Sequence, residues 1–446
     1  MHIYMQQANV ILVGGGTVGG GVYQALERNG GLMASRLGIE LKIRKVVVRD
    51  LEKQRAVKIP PSLLSTDWEE AVNDPEGHVV VELMGGTTTA RQVVLAALKA
   101  GKPVVTANKA LLSAHGEELF EAAQNYGGNL SYEASVAGGI PIIKVLREGL
   151  IGNRITRIHG IVNGTCNYIL TRMKNEGADF GDVLKQAQAL GYAEAEPSLD
   201  VDGHDAAHKI GILASLAHGF WINPKTIYVE GIRPVTRLDI QFAGQLGYTI
   251  KLLGIVKKAE GAVRAAKAAQ SRIQVSVYPA LVPNTHVLAS VNHVFNAIYV
   301  RGDVVGDTLY YGRGAGQDAT ASAVLSDLAD AALDLKCGSK RRVPPFTPHE
   351  RAGSVLAIEE VVSRYYVRLS VIDKPGTLAK IAAIFAAAKI GISSVIQPEG
   401  HAGESVPLIF MIHDAPNAAM SKALVQIARL PVVKAEPVMI RVETME

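Results

Sequence analysis

A chain of 446 residues can form two or three domains with sizeable cores, and 48% apolar with 20% charged residues is the composition of an ordinary globular protein. The formal net charge of +4 is small for this length and the lysines and arginines are scattered, so no nucleic-acid or membrane-surface patch is expected. The two cysteines, Cys166 and Cys337, offer neither a disulfide framework nor a zinc site, no apolar run approaches the ~18 residues of a membrane span, and the N-terminus lacks a basic stretch followed by an apolar core, so a cytoplasmic protein is expected.

The first third reads as repeated strand and helix. Residues 9–13 are a short apolar run, followed by Gly14-Gly15-Gly16-Thr17-Val18-Gly19 and a helical pattern through Val22, Leu26 and Glu27. Gly14, Gly16 and Gly19 fit G-x-G-x-x-G: the first allows the tight turn, the second lets a pyrophosphate approach the backbone, and the third lets helix pack on strand. The helix N-terminus then offers its amides to the phosphates. A second strand, 41–48, ends in Arg49-Asp50, with Lys53 and Arg55 close behind. An acid there would hold the ribose 2′-hydroxyl of NAD and an arginine would suit the 2′-phosphate of NADP; Arg49 comes first, which favours NADP(H), while Asp50 leaves room for NAD(H). Its distance from the glycines requires a helix extension around 29–38.

Further units follow: a strand at 79–83 with Gly85-Gly86-Thr87, a helix over 90–100, then a strand at 103–106 leading to Ala107-Asn108-Lys109. Ligands bind at the carboxyl edge of such a sheet, which makes Lys109 a candidate; a lysine at a helix start can equally point to water. Beyond Glu133-Ala134-Ser135-Val136-Ala137-Gly138-Gly139-Ile140-Pro141 and Asn163-Gly164-Thr165-Cys166-Asn167-Tyr168-Ile169-Leu170 lies the acidic run 191–209. It places Glu194, Asp200 and Asp205 ahead of Lys209, where an apolar helix over 210–216 begins. Carboxylates can hold a substrate ammonium, and a lysine among them can exchange a proton at a carbonyl or hydroxyl carbon. Asp205 and Lys209, spaced i,i+4, share a helix face, although such pairs are also common on solvated surfaces. A calcium loop fails, because placing Gly203 at its sixth position puts Ser198 and Lys209 where acids are needed. His204, His208 and Cys166 fit no metal-ligand spacing.

Residues 240–252 read as a helix, with strands at 253–256, 272–278 and 297–301. Tyr311-Gly312-Arg313-Gly314-Ala315-Gly316-Gln317 introduces a helix over 319–335, and the basic, proline-containing 337–348 suits a linker. After it come a strand at 365–371, the turn Asp373-Lys374-Pro375-Gly376, a helix at 378–389, strands at 392–397 and 408–413, a helix at 417–430 and a strand at 438–442, a βαββαβ order.

Five motifs in sequence carry a resemblance. Gly16-Thr17-Val18-Gly19, the segment 106–109, the two runs 133–141 and 163–170, and the acidic cluster make the chain from Val10 to about Asp330 similar to the homoserine dehydrogenase family, while the C-terminal unit resembles an ACT domain. The resemblance implies an α/β protein: an N-terminal Rossmann dinucleotide-binding domain over 1–135, completed by 311–336; an α+β substrate-binding, catalytic and dimerisation domain over 136–310; a linker at 337–362; and a C-terminal ferredoxin-like βαββαβ ACT regulatory domain over 363–446. It further implies NAD(P)-dependent interconversion of L-homoserine and L-aspartate 4-semialdehyde, on the route to threonine, methionine and isoleucine.

By motif position, Lys209 resembles the proton donor and acceptor, Lys109 the second lysine contacting substrate and nicotinamide, and Glu194, Asp200 and Asp205 the acids that orient the substrate amino group and the lysine. Gly14, Gly16, Thr17, Val18, Gly19, Arg49, Ala107, Lys109, Gly191 and Gly316 would meet the cofactor. The resemblance also implies a monovalent cation, sodium, on main-chain oxygens of Glu133, Val136, Gly138 and Ile140, threonine as the effector, and a homodimer or homotetramer. No kinase-like segment precedes Val10, so the form fused to aspartate kinase is not expected. Neighbouring readings are aspartate-semialdehyde dehydrogenase, which needs a thioester-forming cysteine that Cys166 in its Asn-Gly-Thr-Cys-Asn turn does not suit, and a dihydrodipicolinate-type reductase; a cofactor sensor without turnover is the alternative of a different class.

Overall fold

The computed structural model describes residues 6–259, 271–350, 352–398 and 403–445. The chain divides into two compact units, one formed by residues up to Ile158 with His208–Pro224 and Asn296–Gly353, the other by His159–Ala207, Lys225–Phe295 and Ser354–Glu446.

The first unit is built on a parallel sheet. Its strands are β1 (Gln6–Val13), β2 (Ile39–Val47), β3 (Leu64–Ser65), β4 (Val79–Glu82), β5 (Val104–Thr106) and β6 (Leu130–Ser131), in the order β3-β2-β1-β4-β5-β6. This is the doubly wound order whose switch point, between β1 and β4, makes a crevice at the carboxyl ends of the strands. All four residues of β4 are buried, as befits a strand covered on both faces. The helices α1 (Thr17–Leu37), α2 (Trp68–Asn73), α3 (Thr88–Lys99) and α4 (Lys109–Asn125) supply the crossovers. α1 absorbs the extension expected around 29–38 and stops at Gly38, a left-handed residue at φ 66°. The helix Gln317–Lys336 returns to this unit, and Ala321, Val324 and Leu328 join Val10, Leu12, Val22 and Leu26 in one core. The close approach of the two helices needs a glycine: a Cβ on Gly21 would lie 2.5 Å from Gln317 Cγ.

In the second unit the strands Tyr248–Lys258 and Arg272–Pro283 pair antiparallel. The helix expected over 240–252 is in fact Arg237–Gln245; Gly247, at φ 83°, turns the chain, and 248–252 join the strand. Its nearly continuous burial fits either state at that length, and pairing with a partner more than twenty residues away decided it. The helix expected from 210 already starts at His204, so Asp205 and Lys209 both lie within helix His204–His218.

The C-terminal elements are strand Val362–Ile372, helix Thr377–Ala387, strands Ile392–Ile396 and Ser405–Pro416, helix Asn417–Ala428 and strand Val438–Val442. The first strand lies between the last and the third, the second strand sits at the edge beyond the third, and the pairings within this set are antiparallel. Tyr365, Val367, Leu369, Phe385, Phe410 and Ile427 form its core. Val438–Val442 also pairs parallel with Arg272–Pro283, Ala280 opposite Arg441, so this βαββαβ arrangement continues the sheet of the second unit. Buried charges tie the same region together: Arg441 bonds Glu230 and Asn417 at 2.8 Å each, and Asp239 accepts from Arg368 Nε at 2.6 Å and Tyr366 Oη at 3.0 Å.

Candidate functional site

In the first unit the turn from β1 into α1 is shaped by glycines that cannot be replaced without a clash. Gly14 sits at φ 116° and a Cβ there would lie 2.5 Å from Leu83 O; one on Gly19 would lie 1.8 Å from Gly14 O. Nothing stands within 4 Å of a Cβ built on Gly16, which also begins α1 with no side-chain cap. The first-turn amides, with Thr17 and Val18 among them, are therefore left for an outside acceptor, the arrangement that suits a pyrophosphate. A cavity of about 570 Å³ opens over this turn, bounded by Gly14, Gly16 and Thr17, by Arg49 and Asp50 after β2, and by Lys53, Arg55, Trp68, Met84 and Gln317.

The basic residues of the rim differ in availability. Arg55 donates to the carbonyls of Leu51 at 3.3 Å and Lys53 at 2.9 Å and to that of Asp50, holding its own loop in place. Arg49 and Lys53 are exposed beside the cavity. Asp50 Oδ1 accepts from Glu52 N at 2.9 Å, so this acid also helps to shape the loop.

The carboxyl edge of β4 and β5 is organised by Glu82, a fully buried acid that no pattern marks beyond its place in an apolar strand. Its carboxylate accepts from Thr106 Oγ1 at 2.7 Å and Met84 N at 2.9 Å, and burial raises its pKa against the effect of those bonds. Thr106 in turn accepts from Asn108 N at 3.0 Å, and Asn108 caps α4 through Leu111 N at 3.0 Å while donating to Gly86 O at 2.7 Å. Ala107 and Lys109, both half-buried, stand in the turn that this network fixes. Gly316, at φ 115°, precedes helix Gln317–Lys336, whose first residue lines the cavity.

Residues 133–140 form a tight buried loop with Ala137 left-handed at φ 52°. Glu133 directs its carboxylate to Ile143 N and Lys144 N, 2.8 Å each, and its own N donates to Asp327 at 2.9 Å. Burial pushes Glu133 up to about 7, and burial with the neighbouring Glu133 charge pushes Asp327 up to about 8. Of the carbonyls considered for a cation, that of Ile140 accepts from Ile142 N at 2.8 Å and that of Glu133 from Val136 N at a long 3.5 Å, while those of Val136 and Gly138 accept no main-chain bond among the described residues. Two of the four are thus open to another partner.

In the second unit the first turn of helix Gly164–Glu176 grips the acidic run. Asn163, 5% exposed, caps this helix by accepting from Cys166 N at 2.8 Å. Its Nδ2 donates to Asp200 Oδ1 at 2.7 Å and to Asp205 Oδ2 at 2.9 Å. Thr165 Oγ1 donates to Tyr192 O at 2.6 Å and Cys166 Sγ to Asp200 O at 3.2 Å. Gly191, at φ 74°, turns the chain after helix Phe180–Ala189, and Glu194 is exposed with its carbonyl held by Gln188 Nε2 at 3.0 Å. Asp205 and Lys209, one turn apart on helix His204–His218, are only 4% and 9% exposed, so the solvated-surface alternative for this pair is excluded. Cys166 is fully buried, which also disposes of a thioester nucleophile. The sequence marked 163–170 as a motif without giving Asn163 a task; an asparagine just before a helical pattern announces a cap, but not which acids its amide meets.

The chain is similar to known proteins over nearly its full length. Residues 14–133 match the family model for the NAD-binding domain of homoserine dehydrogenase and 141–329 that for homoserine dehydrogenase. The homoserine dehydrogenase of Neisseria gonorrhoeae is 42% identical over 445 residues, covering 99% of this chain and 100% of the relative. The crystal structure of a homoserine dehydrogenase from Thiobacillus denitrificans superposes with a TM-score of 0.91 at 43% identity, covering 98% of this chain and 99% of that one. A hyperthermophilic archaeal homoserine dehydrogenase in complex with NADPH aligns at a TM-score of 0.61 and 26% identity over 74% of this chain and 98% of that one.

Proposed function

The chain belongs to the homoserine dehydrogenase family, an NAD(P)-dependent oxidoreductase of amino-acid biosynthesis, and from that premise we propose which of its residues do the work. The observation that carries the assignment is the burial of Asp205 and Lys209 one turn apart, next to Asp200. A charged pair is kept out of water only at a cost, and a site that must exchange a proton with a substrate oxygen is a reason to keep it. The reaction interconverts L-homoserine and L-aspartate 4-semialdehyde. When bound, the nicotinamide takes up or supplies the hydride. In the reducing direction Lys209 faces the oxygen on which negative charge grows and gives it a proton; in the oxidising direction it takes the hydroxyl proton. Asp205 orients the lysine, Asp200 and Glu194 receive the substrate ammonium, and Lys109 contacts substrate and nicotinamide.

On the cofactor side, Gly14, Gly16, Thr17, Val18 and Gly19 would hold the pyrophosphate, with Ala107, Gly191 and Gly316 making backbone contacts. Arg49, with Lys53 beside it, favours NADP(H) over NAD(H), since Arg55 is engaged with its own loop. A sodium ion would rest on carbonyls of the 133–140 loop, those of Val136 and Gly138 being the open pair. The four-part division of the chain, from dinucleotide domain to C-terminal regulatory domain, is retained as a functional one. Threonine is the proposed effector, bound near the Asp373-Lys374-Pro375-Gly376 turn, where Gln397 donates to Asp373 at 3.0 Å and Gly376 starts a helix at φ 85°. A homodimer or homotetramer acting in the cytoplasm completes the reading; among the described residues no helix is long and apolar enough to cross a membrane.

The test is a spectroscopic assay of nicotinamide reduction with L-homoserine and either NADP⁺ or NAD⁺ at alkaline pH, repeated with Lys209→Ala, with sodium replaced by a bulky cation, and with added threonine. Homoserine-dependent signal that disappears in the variant is expected. Persistence of the signal in Lys209→Ala would remove the role given to that lysine.

A further inference from the structure

We propose that Asn163 is a positioning residue for this reaction: its single amide group clamps Asp200 and Asp205 into one acidic site. The inference rests on the reading of those two acids as substrate-binding and catalytic groups, and assigns the device that holds them together. Two carboxylates converging on one small site repel each other, and each would rather be hydrated. Asn163 Nδ2 carries two N–H bonds and directs one to Asp200 Oδ1 at 2.7 Å and the other to Asp205 Oδ2 at 2.9 Å, so these two oxygens can be no farther apart than the sum of those bonds.

The orientation of the amide is settled by its other end. Oδ1 accepts from Cys166 N at 2.8 Å, capping helix Gly164–Glu176, a bond only the oxygen can make, which turns the NH₂ towards the acids. The donor is therefore aimed by the first turn of a helix, and at 5% exposure Asn163 is largely withdrawn from solvent. Neighbouring contacts support the same geometry: Cys166 Sγ holds the carbonyl of Asp200 at 3.2 Å and Thr165 Oγ1 that of Tyr192 at 2.6 Å. The main chain of 192–200 is thus pinned to the first turn of this helix, while the amide sets the carboxylates themselves. The clamp leaves the second oxygen of each acid to other partners.

Capping and clamping can be separated, because Asp and Ser cap helices as well as Asn does but neither presents two N–H donors. The experiment uses the full chain as Asn163→Asp, Asn163→Ser, Asp200→Asn and Asp205→Asn, with kcat and KM for L-homoserine, the pH profile of kcat/KM, NADPH affinity and thermal midpoint measured for each. Loss of two charge-assisted bonds should lower kcat/KM about 10- to 100-fold in Asn163→Ser. Asn163→Asp should lose at least as much and move the acid limb of the profile to higher pH, because a third carboxylate makes its neighbours harder to ionise. NADPH affinity should stay near wild type in Asn163→Ser, and any fall in thermal midpoint should be matched by Asn163→Asp without accounting for the shift in its pH profile. Asn163→Ser combined with Asp205→Asn should cost less than the two separately, since the clamp acts through that acid. If both Asn163 variants keep wild-type kcat/KM and pH profile while Asp205→Asn is inactive, the clamp is overturned and the reading of the acids stands. If Asp200→Asn and Asp205→Asn are themselves fully active, the reading of the acids falls instead. An Asn163→Ser protein whose activity falls only in step with a lowered thermal midpoint, with an unmoved pH profile in Asn163→Asp, would reduce Asn163 to a cap.

Discussion

The glycine turn of the first unit and the acid cluster of the second solve recognition in opposite ways. The turn binds by omission: Gly14 and Gly19 have no Cβ because backbone already fills that space, and Gly16 leaves open room in front of uncapped helix amides. The cluster is built from what is present, with Asp200 and Asp205 held by one asparagine and Asp205 buried. Backbone recognition suits a phosphate, whose charge is spread and whose shape is fixed. A proton transfer needs particular titratable groups, and these must be protected and oriented by their neighbours. A site of the second kind is thus more exposed to single side-chain changes.

That contrast can be broken at its strongest point with Lys209→Ala, which should lower kcat by about 10²- to 10⁴-fold while NADPH binding, followed by nucleotide fluorescence, is retained. Equal loss of cofactor binding would mean that the two regions are not separable. Next in size, Asp239→Ala removes the buried acid between Arg368 and Tyr366 and leaves a guanidinium without its partner, so unfolding in denaturant should show a loss of about 3–5 kcal/mol. A loss below about 1 kcal/mol would show that the charge ties of the second unit are no stronger than surface pairs. Arg49→Ala should weaken NADPH binding by about 10- to 100-fold and leave NADH nearly unaffected, as titrations with the two nucleotides would reveal.

The first unit is also not purely a backbone device. Asp327, raised to about 8, and Glu133, raised to about 7, keep protons in the folded state that the unfolded chain releases. Their contribution is fully present below the unfolded carboxylate range near pH ~4 and is lost as pH rises through the folded values, by at most about 1.4 kcal/mol per pH unit for each proton. Thermal midpoints between pH ~6 and ~9 should therefore fall more steeply in the wild type than in Asp327→Asn. The smallest effect is expected at Asp67, whose side chain caps α2 beside Trp68 by accepting from Glu70 N at 2.9 Å; Asp67→Ala should cost about 1 kcal/mol without changing the cofactor preference.

Much of the fold was legible because its signals are local. Strand 438–442 was read to the residue, and the returning helix Gln317–Lys336 was anticipated to within two positions. Where a run of buried residues suits both states, as at 248–252, pairing with Arg272–Pro283 made the decision. The sequence also placed Arg55 close behind Arg49 as a basic residue, yet three carbonyls of its own loop occupy Arg55, while Arg49 is exposed at the cavity. Glu82 escaped notice altogether, since one acid at the end of an apolar strand carries no pattern.

Local rules suffice for the glycine turn, for many of the strands and helices in their order, and for the spacing of Asp205 and Lys209 on one helix face. These follow from steric and periodic rules that act over a few residues. Packing in three dimensions withdraws this pair from water, brings Asn163 to two acids thirty-seven and forty-two positions away, and pairs the strand ending the C-terminal unit with Arg272–Pro283. Burial and partner choice depend on residues brought together from distant parts of the chain, and no local rule encodes which of them will meet.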